Sequence, residues 1–242
     1  MSDLTQPALA EPDADAPGPP AAPGARRSAG VQDPYAVRIA WTDLVGNRPG
    51  QAAREQAVAR RRAAPFKTFA ARVLRVHTDE RAWRVGADGE EKIAARLARL
   101  PGTWRVLHAV PVGTRGSDID HLVVGPGGVF TVNTKHHPGA AVWVGGATFL
   151  VNGQRQLYVR NSRHEAQRAA RLLSAAVAAP VAVSAMIAVV GADPFTVKSQ
   201  PEGVHVVGRR QLPNWLSGLR VTLSEEQVAA VFQAARRSDT WQ

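Results

Sequence analysis

One stretch, SDIDHLVVGPGGVFTVNTK (Ser117 to Lys135), places residues that suit divalent-cation chemistry at telling intervals. Two apolar, mainly β-branched runs flank Gly125-Pro126-Gly127-Gly128, a turn signal, so the stretch predicts a β-hairpin. If Val124 pairs with Val129, Asp120 stands opposite Asn133 and Asp118 opposite Lys135. Alternation then puts all four on one face of the hairpin. A slip of one residue would scatter them, which makes the register a sharp expectation. Two acids and an amide offer hard oxygens to a cation, and an ammonium can hold a water or steady a developing charge. Turn chemistry and solvated strand entry are the plainer reading of Asp118 and Asp120. Lysine usage adds a hint: only four of the 30 basic residues are Lys (67, 92, 135 and 198), so a Lys at this strand end stands out from a background of Arg.

A second acid comes from GADGEEKIAARLARL, which predicts a helix over about 88–100. Asp88 followed by Glu91 reads as a helix cap with its partner. Glu90 is different, because it precedes Ile93, Ala94 and Leu97 at helical spacing and shares their apolar face. A carboxylate there either benefits from the helix N-terminus or reaches into a site.

Elements that would position these residues follow from periodicity. Strands are expected near 104–112, 118–124, 129–135 and 141–151, with smaller β elements up to Tyr158. A helix follows over about 162–178, then strands at 181–190 and 203–207, then short helices near 209–217 and 224–237. The class is α/β, a mixed central sheet flanked by helices. Residues 1–33 read as a disordered Ala/Pro-rich tail, 34–84 as a basic, mostly helical extension with a few apolar positions early on, and 85–242 as the compact domain.

The 242-residue chain carries 30 Lys+Arg against 20 Asp+Glu, a net charge of +10, which favours an anionic partner. Arginine over-use in a GC-rich bacterial genome would give the same excess. With no cysteine, disulfides and thiolate metal sites are excluded. The N-terminus lacks a signal-peptide layout, and the uncharged run Leu172 to Ala192 is split by Pro180 into helix, turn and core strand. A soluble, cytoplasmic protein without a membrane span is the expectation.

The stretches GADGEEKIAARL, DIDHLVVGPGGVFTVNTK and NSRHEAQRAARLL, the last followed by an apolar strand, resemble the nuclease-related domain (NERD). This is a branch of the PD-(D/E)xK nuclease superfamily with the restriction-endonuclease-like fold. The resemblance spans roughly residues 84–207. It implies a nuclease acting on DNA with Mg²⁺ or Mn²⁺. Glu90 resembles the family's helix acid, Asp120 its strand Asp and Lys135 its catalytic Lys, with Asp118 a further candidate. Glu90, Asp120 and position 133 would be the metal ligands.

At 133 the family pattern has Glu and this chain has Asn. An amide oxygen can still ligate Mg²⁺, but it brings no charge and cannot serve as a base. Glu165, early in the helix starting near Asn161, could restore the missing carboxylate; an exposed acid at a charged helix start is the alternative. Facing rules send His121 to the opposite side of the hairpin, packed or hydrogen-bonded. His136 and His137 lack a third zinc ligand and are left as candidate phosphate contacts. Arg155, Arg160, Arg163, Arg168 and Arg171 are the candidate contacts to a nucleic-acid backbone. Trp104 and Trp143 read as core or rim residues. Two other functions remain open: a catalytically inactive nucleic-acid-binding module and a protein-interaction domain.

Overall fold

The computed structural model describes residues 41–50, 84–113 and 117–242, all within one compact unit, Ala40–Gln242. The expected N-terminal tail and most of the basic extension lie outside the described residues. Helix α1 occupies 84–97. Strands β1 (Arg105–Val112), β2 (Ser117–Gly125), β3 (Gly128–His136), β4 (Val142–Gly145), β5 (Thr148–Val151) and β6 (Gln154–Gln156) follow. Helix α2 is Tyr158–Val177, and β7 (Val183–Val190), β8 (Phe195–Ser199) and β9 (Val204–Gly208) come next. Helices α3 (Leu212–Ser217) and α4 (Glu225–Ala235) close the chain.

The central sheet has the order β1-β2-β3-β7-β9, antiparallel up to β3 and parallel beyond it. The parallel strand β7 reads VSAMIAVV, an almost unbroken apolar run, as expected for a strand covered on both faces. Its residues alternate between two cores. Met186, Ala188 and Val190 pack with Ile93 and Leu97 of α1 and with Leu212 and Leu216 of α3. Ala185, Ile187 and Val189 pack with Val159 and Ala166 of α2. A third apolar cluster joins Ala169 and Leu173 of α2 to β1, β2 and Val228 and Val231 of α4.

The α/β class and the mixed sheet flanked by helices agree with the sequence reading, and three local expectations are corrected. The strand expected over 141–151 is two strands, because Gly146 and Ala147 turn the chain and Gly146 takes φ +53°. Strand β8 was not foreseen, and it completes a second sheet of order β6-β5-β4-β8. Asp88 is no cap: residues 84–87 are already helical, and its carboxylate pairs with Lys92 at 2.6 Å, one helical turn on.

Residues 41–50 belong to the same compact unit as the sheets. Leu44 is buried with Trp241 and Ala235, its amide donates to the Arg236 carbonyl at 2.8 Å, and the Arg236 guanidinium pairs with Asp43. The uncharged run Leu172 to Ala192 is helix, a left-handed turn at Ala178 (φ +54°) and strand. Among the described residues no helix is long and apolar enough to cross a membrane.

Gly89 decides how closely α1 lies on the end of β3. A Cβ there would stand 2.6 Å from Cβ of His136. Gly89→Ala should therefore push α1 away and cost about 1–2 kcal/mol, the overpacking outweighing the gain in helix propensity. Urea denaturation of the two forms measures it.

Candidate functional site

Helix α1 delivers Glu90 to the end of β2 and β3. The preceding glycine permits the close approach, and His136 fastens it by donating from Nδ1 to the Val85 carbonyl at 2.7 Å. His136 is thus spent on docking the helix, which corrects its reading as a phosphate contact. Glu90 Oε2 accepts the Gly50 amide at 2.8 Å. Gly50 is suited to this place: its φ is +72°, and a Cβ would come within 3.0 Å of Ala87.

The hairpin has the expected register from Gly125↔Gly128 to His121↔Val132, and there the ladder stops. Asp120 does not form a ladder pair with Asn133. Its Oδ2 instead accepts the Thr134 amide at 2.7 Å, a side chain standing in for a neighbouring strand's carbonyl. The ladder on its other side is interrupted too. Strand β1 pairs His108 with His121 and Val110 with Ile119, but Ala109 leaves the ladder at φ +46° and its carbonyl accepts Asn47 Nδ2 at 2.9 Å. Asp120 therefore sits on a central strand at a break in both ladders, where its carboxylate faces a recess.

His121 lies fully buried on the opposite side. Its Nδ1 is 2.8 Å from Nδ1 of His108, one ring donating and the other accepting, and its Nε2 is 3.3 Å from Thr134 Oγ1. Burial lowers the pKa of both imidazoles.

Helix α2 brings Glu165 over the same end of the sheet. Asn133 Nδ2 donates to Glu165 Oε2 at 3.2 Å, which leaves Asn133 Oδ1 and Glu165 Oε1 buried without a hydrogen-bond partner. Lys135 Nζ stands 4.8 Å from the centre of the Tyr158 ring, which His137 stacks on at 5.8 Å and Phe149 meets edge to face at 5.1 Å. Tyr158 is a site residue that no spacing in the sequence marks.

Electrostatics tie these groups into one recess. Burial, followed by the charge of Asp120, pushes the Glu90 carboxyl up to about 7, Asp118 to about 6 and Glu165 to about 8. Asp120 is itself raised by burial, against the pull of Lys135 and the Thr134 amide. Glu90, Asp118, Asp120, Asn133, Lys135 and Glu165 are thus brought together. Among the described residues, however, no three His, Cys, Asp or Glu side chains stand at metal-binding spacing.

The five arginines are placed differently from one another. Arg163 donates to the Glu202 carbonyl at 2.6 Å, and the Arg168 guanidinium lies against Gly113. Arg155 on β6 and Arg160 and Arg171 on α2 are exposed.

All six gathered residues fall between 85 and 190, and those residues match the family model of the nuclease-related domain. No curated protein matches the chain, and no solved structure does. The matched segment runs from α1 to the end of β7, so Asn47 and Gly50 reach these side chains from outside it.

The raised carboxyls have a consequence for stability. A carboxyl whose folded-state value exceeds its unfolded value keeps its proton where the unfolded chain has lost it, so stability falls as pH rises through the folded value. The lowered values of His108, His121, His137 and His205 act in the opposite direction, but their effect is complete by about pH 7.5. Without metal, the protein should therefore lose about 1–2 kcal/mol between about pH 7 and pH 9, and Glu165→Gln should remove most of that slope. Chemical denaturation across this range checks it.

Proposed function

We propose that the nuclease-related domain is a divalent-metal-dependent phosphodiesterase acting on DNA, in which Glu165 supplies the carboxylate that position 133 lacks. One observation carries the reading: Asn133 and Glu165 are hydrogen-bonded to each other at 3.2 Å while each keeps a buried, partnerless oxygen. Such oxygens are costly unless something electropositive meets them. The donor set, carboxylates and an amide oxygen without sulfur, suits Mg²⁺ or Mn²⁺.

Asp120, Glu165 and Asn133 Oδ1 would hold the ion, with Glu90 or Asp118 completing the set. When bound, the ion supplies charge neutralisation at the scissile phosphate and a more acidic water. Ligation would require the carboxyls to shed their protons, and the charge of the ion would offset the repulsion among the resulting carboxylates. The Lys135 ammonium, held over the Tyr158 ring, is placed to orient the attacking water or to steady charge on the phosphate. Arg155, Arg160 and Arg171 are free to meet backbone phosphates, while Arg163 and Arg168 would first have to release their present contacts.

Two features favour a second reading, an inactive nucleic-acid-binding module. No three of the acidic or imidazole side chains among the described residues stand at metal-binding spacing, and Glu90 already accepts the Gly50 amide.

Cleavage assays on plasmid and linear DNA with Mg²⁺, Mn²⁺ or chelator separate the two. The expected result is chelator-sensitive cleavage that falls about 10²-fold or more in Lys135→Ala and in Glu165→Gln. Asn133→Glu added to Glu165→Gln should restore much of it, because the carboxylate returns from the strand. A wild-type protein that binds DNA and cuts none with any metal would leave the binding module as the function. Metal affinity, followed by calorimetry, should rise from about pH 6 to above about pH 8 as Glu165 and Glu90 lose their protons.

A further inference from the structure

The outer face of the four-stranded sheet carries a surface of which the hydrolytic reading uses Arg155 alone. The inner face points Val142, Val144 and Phe149 into the core beside α2. Alternation sends Trp143 outward, and it is 40% exposed, unusual for the largest side chain on a well-packed strand. The indole is not loose. A Cβ on Gly145 would lie 2.2 Å from the ring, so the glycine leaves a seat in which the indole lies against the strand.

The register fixes what flanks it. Trp143 pairs with Leu150 on one side and Thr196 on the other, and Leu150 pairs with Arg155. Paired residues share a face, so Thr196, Trp143, Leu150 and Arg155 form one row across the sheet. Arg155 stands two strands from Trp143, about 10 Å, within reach of its long side chain. Lys198, exposed and two residues beyond Thr196, lies on the strand at the opposite flank. No acidic residue occurs in any of the four strands.

We propose that this face binds single-stranded nucleic acid, one base stacking on Trp143 and the flanking phosphates meeting Lys198 and Arg155. Every base offers a π-face to a flat indole, but in a duplex both faces are covered by neighbouring pairs, so the platform selects unpaired segments. Cations on both sides of the ring, with no acid among the strands, match a polyanion crossing the sheet. This inference rests on the preceding reading only in taking nucleic acid as the partner, and the hydrolytic residues play no part in it.

Fluorescence anisotropy with labelled oligo(dT) and a labelled duplex, both in chelator so that nothing is cut, tests it. Trp143→Ala should weaken oligo(dT) binding about tenfold or more and leave duplex binding nearly unchanged, while Trp143→Phe keeps most of the affinity. Gly145→Ala, which fills the seat and tilts the ring, should weaken oligo(dT) binding in the same selective way. Arg155→Ala with Lys198→Ala should make the salt dependence shallower. Unchanged thermal unfolding of Trp143→Ala shows that the sheet is intact.

The inference is overturned if Trp143→Ala binds oligo(dT) as the wild type does, if it weakens single strand and duplex equally, or if the wild type binds no oligo(dT). Chelator-sensitive cleavage of duplex DNA that persists in Trp143→Ala keeps the hydrolytic reading standing whichever way the binding comes out. Trp143-dependent binding in a protein that cuts nothing supports this surface and sinks the hydrolytic reading alone.

Discussion

The carboxylate of Asp120 occupies a position that a neighbouring strand would otherwise fill, and the arrangement of the recess follows from that substitution. By accepting the Thr134 amide it ends the β2–β3 ladder without leaving a buried donor unpaired. A hydrogen bond from a backbone amide to a charged oxygen contributes about 1.5–3 kcal/mol, more than a neutral ladder bond, so the interrupted sheet loses little. On the other flank, Ala109 turns its carbonyl to Asn47 and opens the β1–β2 ladder at the same level. The two breaks coincide, and the carboxylate comes to face side chains from α1, α2 and β3 instead of lying within a closed sheet.

That placement sets acids against one another in partly dry surroundings. Glu90, Asp118 and Glu165 all hold their protons more tightly than free carboxyls, first through burial and then through Asp120. An arrangement optimised for stability would have put apolar groups or matched ion pairs here. The frame around the recess is correspondingly firm: three apolar clusters, a central strand covered on both faces, and α1 seated through Gly89 and His136. Local strain carried by a well-packed frame is a common pattern at sites where chemistry is done.

Much of this was legible in the chain because it is local. Hairpin register follows from a four-residue turn between two β-branched runs, and a period of two then decides which residues share a face. Helical spacing likewise puts Glu90 with Ile93 and Leu97. Misreadings arose where two local signals compete. Asp88 and Glu91 look like a cap, yet the helix begins upstream and Asp88 pairs with Lys92 instead. Residues 141–151 are apolar enough for one strand, and only the left-handed backbone at Gly146 shows that they are two. Trp143 has the composition of a core residue, and its exposure depends on which face of the small sheet the core covers.

The chain by itself determined which functional groups exist and how neighbours alternate: two acids, an amide and an amine at one hairpin end, and an acid on the apolar side of a helix. Tertiary structure alone decided who meets whom. Glu165 reaches Asn133 across 32 residues, and Gly50 reaches Glu90 across 40. Those meetings depend on how α2 packs over β7 and how residues 41–50 lie against the C-terminal helix, which are sums of many weak apolar contacts spread over the chain. No spacing encodes such a sum, because periodicity records which face of an element is buried and not which distant element covers it.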